Sequence, residues 1–276
     1  MNYRHAFHAG NHADVFKHTA LTILLEHLLQ KPQPFAVLDT HAGAGVYDLA
    51  GEPAQKTREH EAGAGRILGR GLASAPRYAE LLEAMNPAGL KVYPGSPEIV
   101  RRMLREGDRL IACELHPDDA KALKAWRGRD PRIAVHHRDG YEAIGALLPP
   151  AERRGLVLID PPFEAPDDAS RLAEAIGVGL RKWPTGVFLA WYPIKDSRIG
   201  DLIWGAAIMG RFPRALRAEC SPYRRDGVAM AGSGLLVCNA PWKLDENLSV
   251  LCAELSARLG EGEGSWSVRV LDAPPP

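Results

Sequence analysis

The stretch FAVLDTHAGAG, residues 35–45, decides which fold the sequence predicts. A short apolar run with the length of a buried strand ends here at a polar turn that contains Gly43 and Gly45. Glycine lets a backbone turn sharply and approach a ligand closely, so we interpret the stretch as a strand that leads into a ligand-binding loop. The turn lacks the full GxGxxG spacing of a dinucleotide site, and a glycine turn after a strand is also an ordinary connector.

The same pattern of a strand followed by a turn recurs along the chain. Apolar runs of strand length occur at residues 109–115, 132–137, 155–160, 187–193 and 233–242, and helical patterns separate most of them. A longer helix is predicted over residues 12–30, with Asn11 as its N-cap. Strands that alternate with helices predict an α/β fold, in which a mostly parallel, Rossmann-like sheet carries helices on both faces.

Residues 46–90 break this alternation. They contain no strand-like run, but they do contain helical stretches such as residues 76–85. We therefore predict an inserted helical subdomain at residues 46–90. The rest of the chain, residues 1–45 and 91–276, is predicted to form a Rossmann-like domain with an N-terminal helical motif. A length of 276 residues fits one large domain that carries an insertion.

Composition narrows the class of protein. The 34 Lys and Arg residues balance 34 Asp and Glu residues, so any site for a polyanion must be a local patch. One candidate patch is the arginine-rich stretch 208–225. The four widely spaced cysteines argue against a zinc cluster or a disulfide framework. Because no signal peptide or membrane span is visible, we expect a reduced, cytoplasmic protein.

Acidic residues end two of the predicted strands. In parallel sheets, ligands bind beyond the carboxyl ends of the strands. Glu114 ends the second core strand, where an acidic residue commonly accepts hydrogen bonds from both hydroxyls of a ribose. The alternative is a surface residue at a helix start. Asp139, followed by Gly140, suits an acceptor for an adenine amino group, and it suits a helix N-cap as well.

The most informative motif is Asp160-Pro161-Pro162-Phe163, directly after the apolar run at residues 155–159. Two consecutive prolines force a stiff, extended turn. Asp160 and the Pro161 carbonyl can then accept the two hydrogens of a planar amine or amide nitrogen, while the ring that bears this nitrogen stacks on Phe163. We interpret the turn as a site that orients such a nitrogen toward a methyl donor. The alternative is a proline-rich strand exit with an aromatic plug.

Together these loops resemble those of class I S-adenosylmethionine-dependent amino-methyltransferases. The resemblance extends over nearly the whole chain. The segments YRHAFHAGNHADVFKH, LDTHAGAG, YPGSP, ELHP, LIDPPF, WYP and SGLLVCNAPWKL, in this order, are similar to those of the RlmJ family of bacterial 23S rRNA (adenine(2030)-N(6))-methyltransferases. Two positions depart from the family pattern: Phe163 replaces a tyrosine, and Ala240 interrupts an expected NPPW.

The resemblance implies an enzyme that methylates N6 of an adenine in 23S rRNA with S-adenosylmethionine as methyl donor. It implies Asp160 as the catalytic acceptor and Tyr3, Pro161, Pro162 and Phe163 as contacts of the RNA base. The residues that it assigns to donor binding are Lys17, His18, His41, Ser96, Glu114, Asp139, Gly140 and Asp160. With the family reading, the arginines of residues 208–225 become a candidate phosphate surface.

Other interpretations remain open at this stage. The same turn would serve a methyltransferase acting on DNA adenine or on a protein glutamine, and the fold would also serve a non-catalytic RNA-binding module. A nicotinamide-dependent oxidoreductase fits poorly because the glycine spacing is wrong. Five of the ten histidines lie within the first 27 positions, but no carboxylate or thiolate pattern completes a metal site, so we expect no metal. No membrane or obligate protein partner is expected.

Overall fold

A computed structural model of the chain describes residues 4–260, 262 and 264–271. The strands are β1 Ala36–Asp39, β2 Val46–Asp48, β3 Val92–Pro94, β4 Arg109–Glu114, β5 Ile133–His137, β6 Gly155–Ile159, β7 Val187–Ile194, β8 Leu216–Ser221, β9 Gly232–Cys238 and β10 Ser265–Val270. The helices are α1 His12–Leu29, α2 Glu52–Thr57, α3 Glu59–Ala62, α4 Pro76–Met85, α5 Ser96–Met103, α6 Pro117–Arg127, α7 Gly140–Leu147, α8 Asp168–Lys182, α9 Arg198–Met209 and α10 Leu244–Leu259.

Eight of these strands form one mostly parallel sheet, in the order β10-β8-β9-β7-β6-β1-β4-β5. Strands β5, β4, β1, β6 and β7 are parallel, whereas β9 is antiparallel to both β7 and β8, and β10 is antiparallel to β8. The chain leaves β1 toward β4 on one side and later returns to β6 on the other. Such a reversal opens a crevice at the carboxyl ends of the strands.

Helices cover both faces of this sheet, as predicted. Helices α1, α5, α6 and α10 pack on one face, and α7, α8 and α9 pack on the other, each layer with its own apolar core. The predicted N-cap of α1 is present, because the side chain of Asn11 accepts hydrogen bonds from the backbone N–H groups of Ala13 and Asp14. No helix in the described ranges is long and apolar enough to cross a membrane.

The expectation that residues 46–90 contain no strand is wrong. Strand β2 pairs with β3 as a two-stranded antiparallel ribbon, in which Tyr47 lies opposite Tyr93. Three residues are too few to show a strand pattern in the sequence. Helix α4 matches the predicted helical stretch, and its Tyr78 and Leu82 join the same apolar core as α1. The assignment of residues 46–90 to a separate subdomain stays a prediction.

The arginine-rich stretch 208–225 does not form a single basic surface. Arg217 lies on β8 and is 5% exposed, because it forms a buried ion pair with Glu219 and donates to the Tyr192 hydroxyl. Arg211 and Arg214 precede β8 and therefore lie at the amino edge of the sheet, opposite the crevice. The prediction of one phosphate surface over residues 208–225 is therefore wrong. Of this stretch, residues 222–225, which follow β8, lie at the carboxyl edge.

Candidate active site

A cavity of about 590 Å³ opens at the carboxyl edge of the parallel strands. The loops after β1, β4, β5 and β6 and the first half of α1 line it. The structure brings together in this cavity all the site residues that the sequence predicts within the described ranges. They are Lys17, His18, His41, Ser96, Glu114, Asp139, Gly140, Asp160, Pro161, Pro162 and Phe163. Tyr3 lies outside the described residues.

The loop after β1 requires its glycines. Gly43 has a φ of +62°, and a Cβ atom there would lie 2.0 Å from the Tyr47 hydroxyl oxygen. Gly45 has a φ of +88°, and its Cβ atom would lie 2.7 Å from the Trp126 ring. Residues other than glycine rarely adopt this left-handed backbone conformation. The glycines therefore allow the loop to fold tightly against its neighbours and to expose its backbone to the cavity.

Glu114 closes this loop onto β4. One carboxylate oxygen, Oε2, accepts a hydrogen bond from the Gly43 N–H at 2.8 Å, and Oε1 accepts one from the His116 N–H at 2.7 Å. Burial raises the pKa of Glu114, and these two bonds oppose that shift. Since each carboxylate oxygen can accept two hydrogen bonds, both retain capacity for a ligand hydroxyl. At 8% exposure, Glu114 is not a surface residue.

Asp139 is the N-cap of α7, one of the two roles that the sequence left open. Its Oδ1 accepts hydrogen bonds from the backbone N–H groups of Tyr141 and Glu142, at 2.8 and 3.1 Å. The other oxygen, Oδ2, accepts no hydrogen bond within the described part of the chain, and Asp139 lines the cavity. A Cβ atom on Gly140 would lie 2.2 Å from the Thr40 carbonyl oxygen. Glycine is therefore needed where α7 begins against the loop after β1.

Lys17 lies between two carboxylates. Its ammonium nitrogen donates to Oδ1 of Asp14 at 2.9 Å and also to Oδ2 of Asp160. Burial alone would lower the pKa of Lys17, but the charges of Asp14 and Asp160 prevail and raise it above its ordinary value. Lys17 therefore stays charged although it is 3% exposed.

Asp14 was not predicted as a site residue. It is 1% exposed and accepts further hydrogen bonds from the Gly10 N–H and from Nε2 of His5, both at 2.9 Å. Burial would raise the pKa of Asp14, yet the charges of His5 and Lys17 hold it well below its ordinary range. The available signal was the spacing of Asp14 and Lys17, which places both side chains on one face of a helix.

Asp39 adds a third carboxyl group beside the site. It is fully buried at the end of β1, and its Oδ2 accepts a hydrogen bond from the Ser96 hydroxyl at 2.7 Å. Burial raises the pKa of Asp39 to about 7, against the opposing effect of the Ser96 bond, and the nearby charge of Asp160 adds to the rise. Asp39 is thus poised between its neutral and its charged form near neutral pH.

Two histidines at the cavity are neutral. Burial lowers the pKa of His18 to about 3 and that of His41 to about 4. The Thr40 hydroxyl donates its hydrogen to the Leu158 carbonyl, so it accepts from Nδ1 of His41 at 2.8 Å. The Nε2 atom of His41 is then left as a hydrogen-bond acceptor. Among the described residues, no group of three or more His, Cys, Asp or Glu side chains is arranged to hold a metal ion.

The turn after β6 forms the other wall of the cavity. Phe163 ends this turn with a φ of +50°, a backbone conformation that costs a non-glycine residue roughly 1 kcal/mol or more and that clusters at functional sites. Its ring meets the Trp191 ring edge-on, with centroids 5.8 Å apart. Trp191, Lys195 and Met230 also line this wall, and sequence reasoning missed all three. Trp191 belongs to the motif WYP, which carried no chemical signal beyond the resemblance, and Lys195 and Met230 lie in no quoted motif.

The order β5-β4-β1-β6-β7, continued by the reversed strand β9 and then by β8, is the sheet arrangement of class I methyltransferases. Its ligand cavity lies at the carboxyl edge, where such sheets bind their ligands. The protein is a class I methyltransferase that uses S-adenosylmethionine. It belongs to the family described as ribosomal RNA large subunit methyltransferase D, RlmJ, whose model matches residues 32–271.

Curated relatives agree with this membership. The chain is 39% identical, over 97% of its length and 99% of theirs, to ribosomal RNA large subunit methyltransferase J of Escherichia coli strain K12. It is 38% identical to the protein of that name from Haemophilus influenzae Rd, with 97% and 98% covered. A solved structure of protein LPL1258 from Legionella pneumophila matches with a TM-score of 0.88 and 31% identity, covering 95% of this chain and 98% of that one. The predicted family and fold class are confirmed.

Proposed function

We propose that this protein transfers the methyl group of S-adenosylmethionine to the exocyclic N6 of one adenine in 23S rRNA, in the cytoplasm. The family resemblance implies position 2030 as the target. The observation that carries the proposal is the shared cavity, in which the Asp160-Pro161-Pro162-Phe163 turn faces the same space as Glu114 and the glycine loop. A donor and a planar amine can therefore meet there.

The residues on the donor side suit S-adenosylmethionine. Glu114 retains acceptor capacity for both ribose hydroxyls, and Oδ2 of Asp139, beside Gly140, suits the amino group of the donor's adenine. Lys17 uses two of its three N–H donors on carboxylates, so the third can bind the donor's carboxylate. The remaining donor contacts that the family implies, His18, His41 and Ser96, line the same cavity.

The residues on the acceptor side suit an aromatic amine. The lone pair of adenine N6 is delocalised into the ring, which makes this nitrogen a weak nucleophile. Oδ1 of Asp160 and the Pro161 carbonyl would accept its two hydrogens and return electron density to it, while Phe163 and Pro162 hold the ring. The donor supplies an electrophilic methyl carbon bound to sulfur. As N6 bonds to that carbon and the carbon–sulfur bond breaks, N6 releases a proton to Asp160 and then to solvent.

Lys17 acts here as a positioning residue as well as a donor contact. Because Lys17 binds Oδ2 of Asp160, Oδ1 is the oxygen that can accept a hydrogen bond from the amine. Positioning of this kind is a major source of rate, because holding reacting atoms about 3–3.5 Å apart in line replaces an improbable encounter. The ion pair crosses from α1 to the turn after β6 and so couples the donor side of the cavity to the acceptor side.

The test is transfer of labelled methyl from S-adenosylmethionine to protein-free 23S rRNA, followed by nucleoside analysis. We expect N6-methyladenosine from the wild type and from the control Asp118→Ala, whose side chain is 72% exposed. We expect none from Asp160→Ala, with donor binding mostly retained. Label that appears in DNA or in a glutamine-containing protein and not in rRNA would overturn the substrate. RNA binding without any transfer would favour a binding module.

A further inference from the structure

The loop between β8 and β9, residues 222–231, is held at the acceptor wall of the cavity. Its last residue, Ala231, donates its N–H to the Ile194 carbonyl at 2.8 Å and accepts from the Tyr223 N–H at 3.2 Å. Met230, within the loop, and Lys195, directly after Ile194, both line the cavity. The loop and Lys195 therefore form one continuous rim beside the turn that ends in Phe163.

The loop is also fixed against the first helix. Tyr223 meets the ring of His12 edge-on, with centroids 5.3 Å apart. His12 is the first residue of α1, the helix that also carries Lys17. The rim thus rests on elements that already belong to the cavity, so a ligand bound at the rim would be held at a defined place relative to Asp160.

Two cations on this rim have no acidic partner among the described residues. Arg224 and Lys195 are exposed, and neither forms an ion pair within the ranges that the structure describes. Neighbouring arginines differ: Arg225 binds Glu219 at 3.3 Å, and Arg171 binds Asp168 at 3.5 Å. Because no carboxylate in the described ranges occupies them, Arg224 and Lys195 are each able to bind an anionic group such as a phosphate.

The tip of the loop presents an apolar side chain to solvent. Val228 is 79% exposed. Oδ1 of Asp226 accepts hydrogen bonds from the N–H groups of Val228 and Ala229, at 2.8 and 3.2 Å, and so shapes the tip. A target base that enters a pocket must leave its stack, at a cost of a few kcal/mol. Nucleic-acid-binding proteins often place an apolar side chain against the bases that such a distortion exposes.

We propose that residues 222–231 and Lys195 form the surface that holds the RNA beside the cavity. Arg224 and Lys195 bind backbone phosphates that flank the target adenosine, and Val228 contacts the base next to it. The inference rests on the proposed function, since it needs an RNA whose base enters the cavity. Cations without partners around an apolar tip match a polyanion with exposed bases better than they match a protein surface.

The first test measures binding of a 23S rRNA fragment that contains the target adenine, by fluorescence anisotropy at several salt concentrations. We expect the double variant Arg224→Gln, Lys195→Gln to weaken binding by about tenfold or more and to reduce the salt slope by about 2, because two phosphate contacts are lost. The matched control is Arg211→Gln, an exposed arginine at the opposite edge of the sheet. The dissociation constant of S-adenosylmethionine should stay unchanged in both variants.

The second test addresses Val228. We expect Val228→Ser to slow methyl transfer to the folded fragment by several-fold while transfer to an unstructured oligonucleotide stays at the wild-type rate. Val250→Ser, at a 60% exposed position on α10, should change neither rate. If the wild type methylates the RNA while the loop variants keep its affinity, salt slope and rates, the loop proposal is overturned and the proposed function stands. If the wild type transfers no methyl to any RNA, the proposed function fails first.

Discussion

Lys17 and Asp160, 143 positions apart in the chain, form a buried ion pair that joins α1 to the turn after β6. The side chain of Lys17 is 4% exposed and that of Asp160 is 16% exposed. Asp14 completes the arrangement on the other side of the ammonium group. The pair therefore serves the stability of the fold and the geometry of the cavity at the same time.

Replacement of Lys17 by methionine tests this double role. The change leaves two carboxylates without their cation, and removing one partner of a buried pair typically costs about 3–5 kcal/mol of unfolding free energy. We expect a loss of that order in denaturant unfolding and a fall of more than tenfold in kcat. Lys182→Met, at an exposed position at the end of α8, should change neither quantity. Wild-type turnover in Lys17→Met would contradict the positioning role.

Replacement of Glu114 by alanine should weaken donor binding. The variant removes the acceptor that we propose for the two ribose hydroxyls, and it leaves the Gly43 N–H without its acceptor. At about 1 kcal/mol for each hydrogen bond, the dissociation constant of S-adenosylmethionine should rise by roughly tenfold to a hundredfold in calorimetry. The control is Glu142→Ala, which removes an exposed carboxylate on α7. An unchanged dissociation constant in Glu114→Ala would refute the ribose contact.

Asp39 should make stability depend on pH. Its pKa is raised from 3.8 to about 7 in the folded state, so the folded protein binds the Asp39 proton more tightly than the unfolded chain does. The contribution is fully present below the unfolded pKa and is lost as the pH rises to 7, by about 1.4 kcal/mol per unit.

Asp39→Asn cannot lose this proton, so its stability relative to the wild type should improve from pH 5 to pH 7 and then level off. Unfolding in urea at pH 5, 6, 7 and 8 measures the difference between the two proteins. The same difference for Asp118→Asn, at an exposed position, should stay flat over this range. A flat difference for Asp39→Asn as well would show that the buried carboxyl does not titrate there.

Alanine at Gly43 should strain the loop after β1. The new Cβ atom would combine a left-handed backbone with a 2.0 Å approach to the Tyr47 hydroxyl. Gly69→Ala is the matched control, because Gly69 has a φ of +72° but no heavy atom within 4 Å of the added carbon. We expect about 1–2 kcal/mol of destabilisation from the control and more from Gly43→Ala, with weaker donor binding in the latter alone. Equal effects would mean that the close contact is relieved without cost.

The sequence predicted the parts of the site that follow strands directly. Glu114 and Asp160 each end an apolar run and Gly43 lies in the turn after another, and the carboxyl ends of parallel strands meet at one edge. Contacts between residues on different helices, strands and loops could not be predicted. Lys17 binds Asp14 on its own helix and Asp160 after β6. The second contact joins residues far apart in the sequence, so no local pattern predicts it.

Strands that contain charged residues, and strands of just a few residues, could not be predicted from the sequence either. Strand β8 alternates Arg217 and Glu219 with apolar residues. In the sequence Arg217 looks like part of a surface patch, although its ion pair with Glu219 is buried. The reversed strand β9 brings residues 222–231 to the cavity, and no periodicity in a sequence reveals which strands will be neighbours. For that reason Met230 and Lys195 were not predicted to line the site.

The most direct test of the proposed function is methyl transfer by the wild-type enzyme to two 23S rRNA transcripts that differ only at the implied target, one with adenine and one with guanine at position 2030. The products are digested and the methylated nucleoside is mapped by mass spectrometry. We predict N6-methyladenosine at that single position in the first transcript and no methylation of the second. Equal methylation of both transcripts, or a methyl group on another atom, would contradict it.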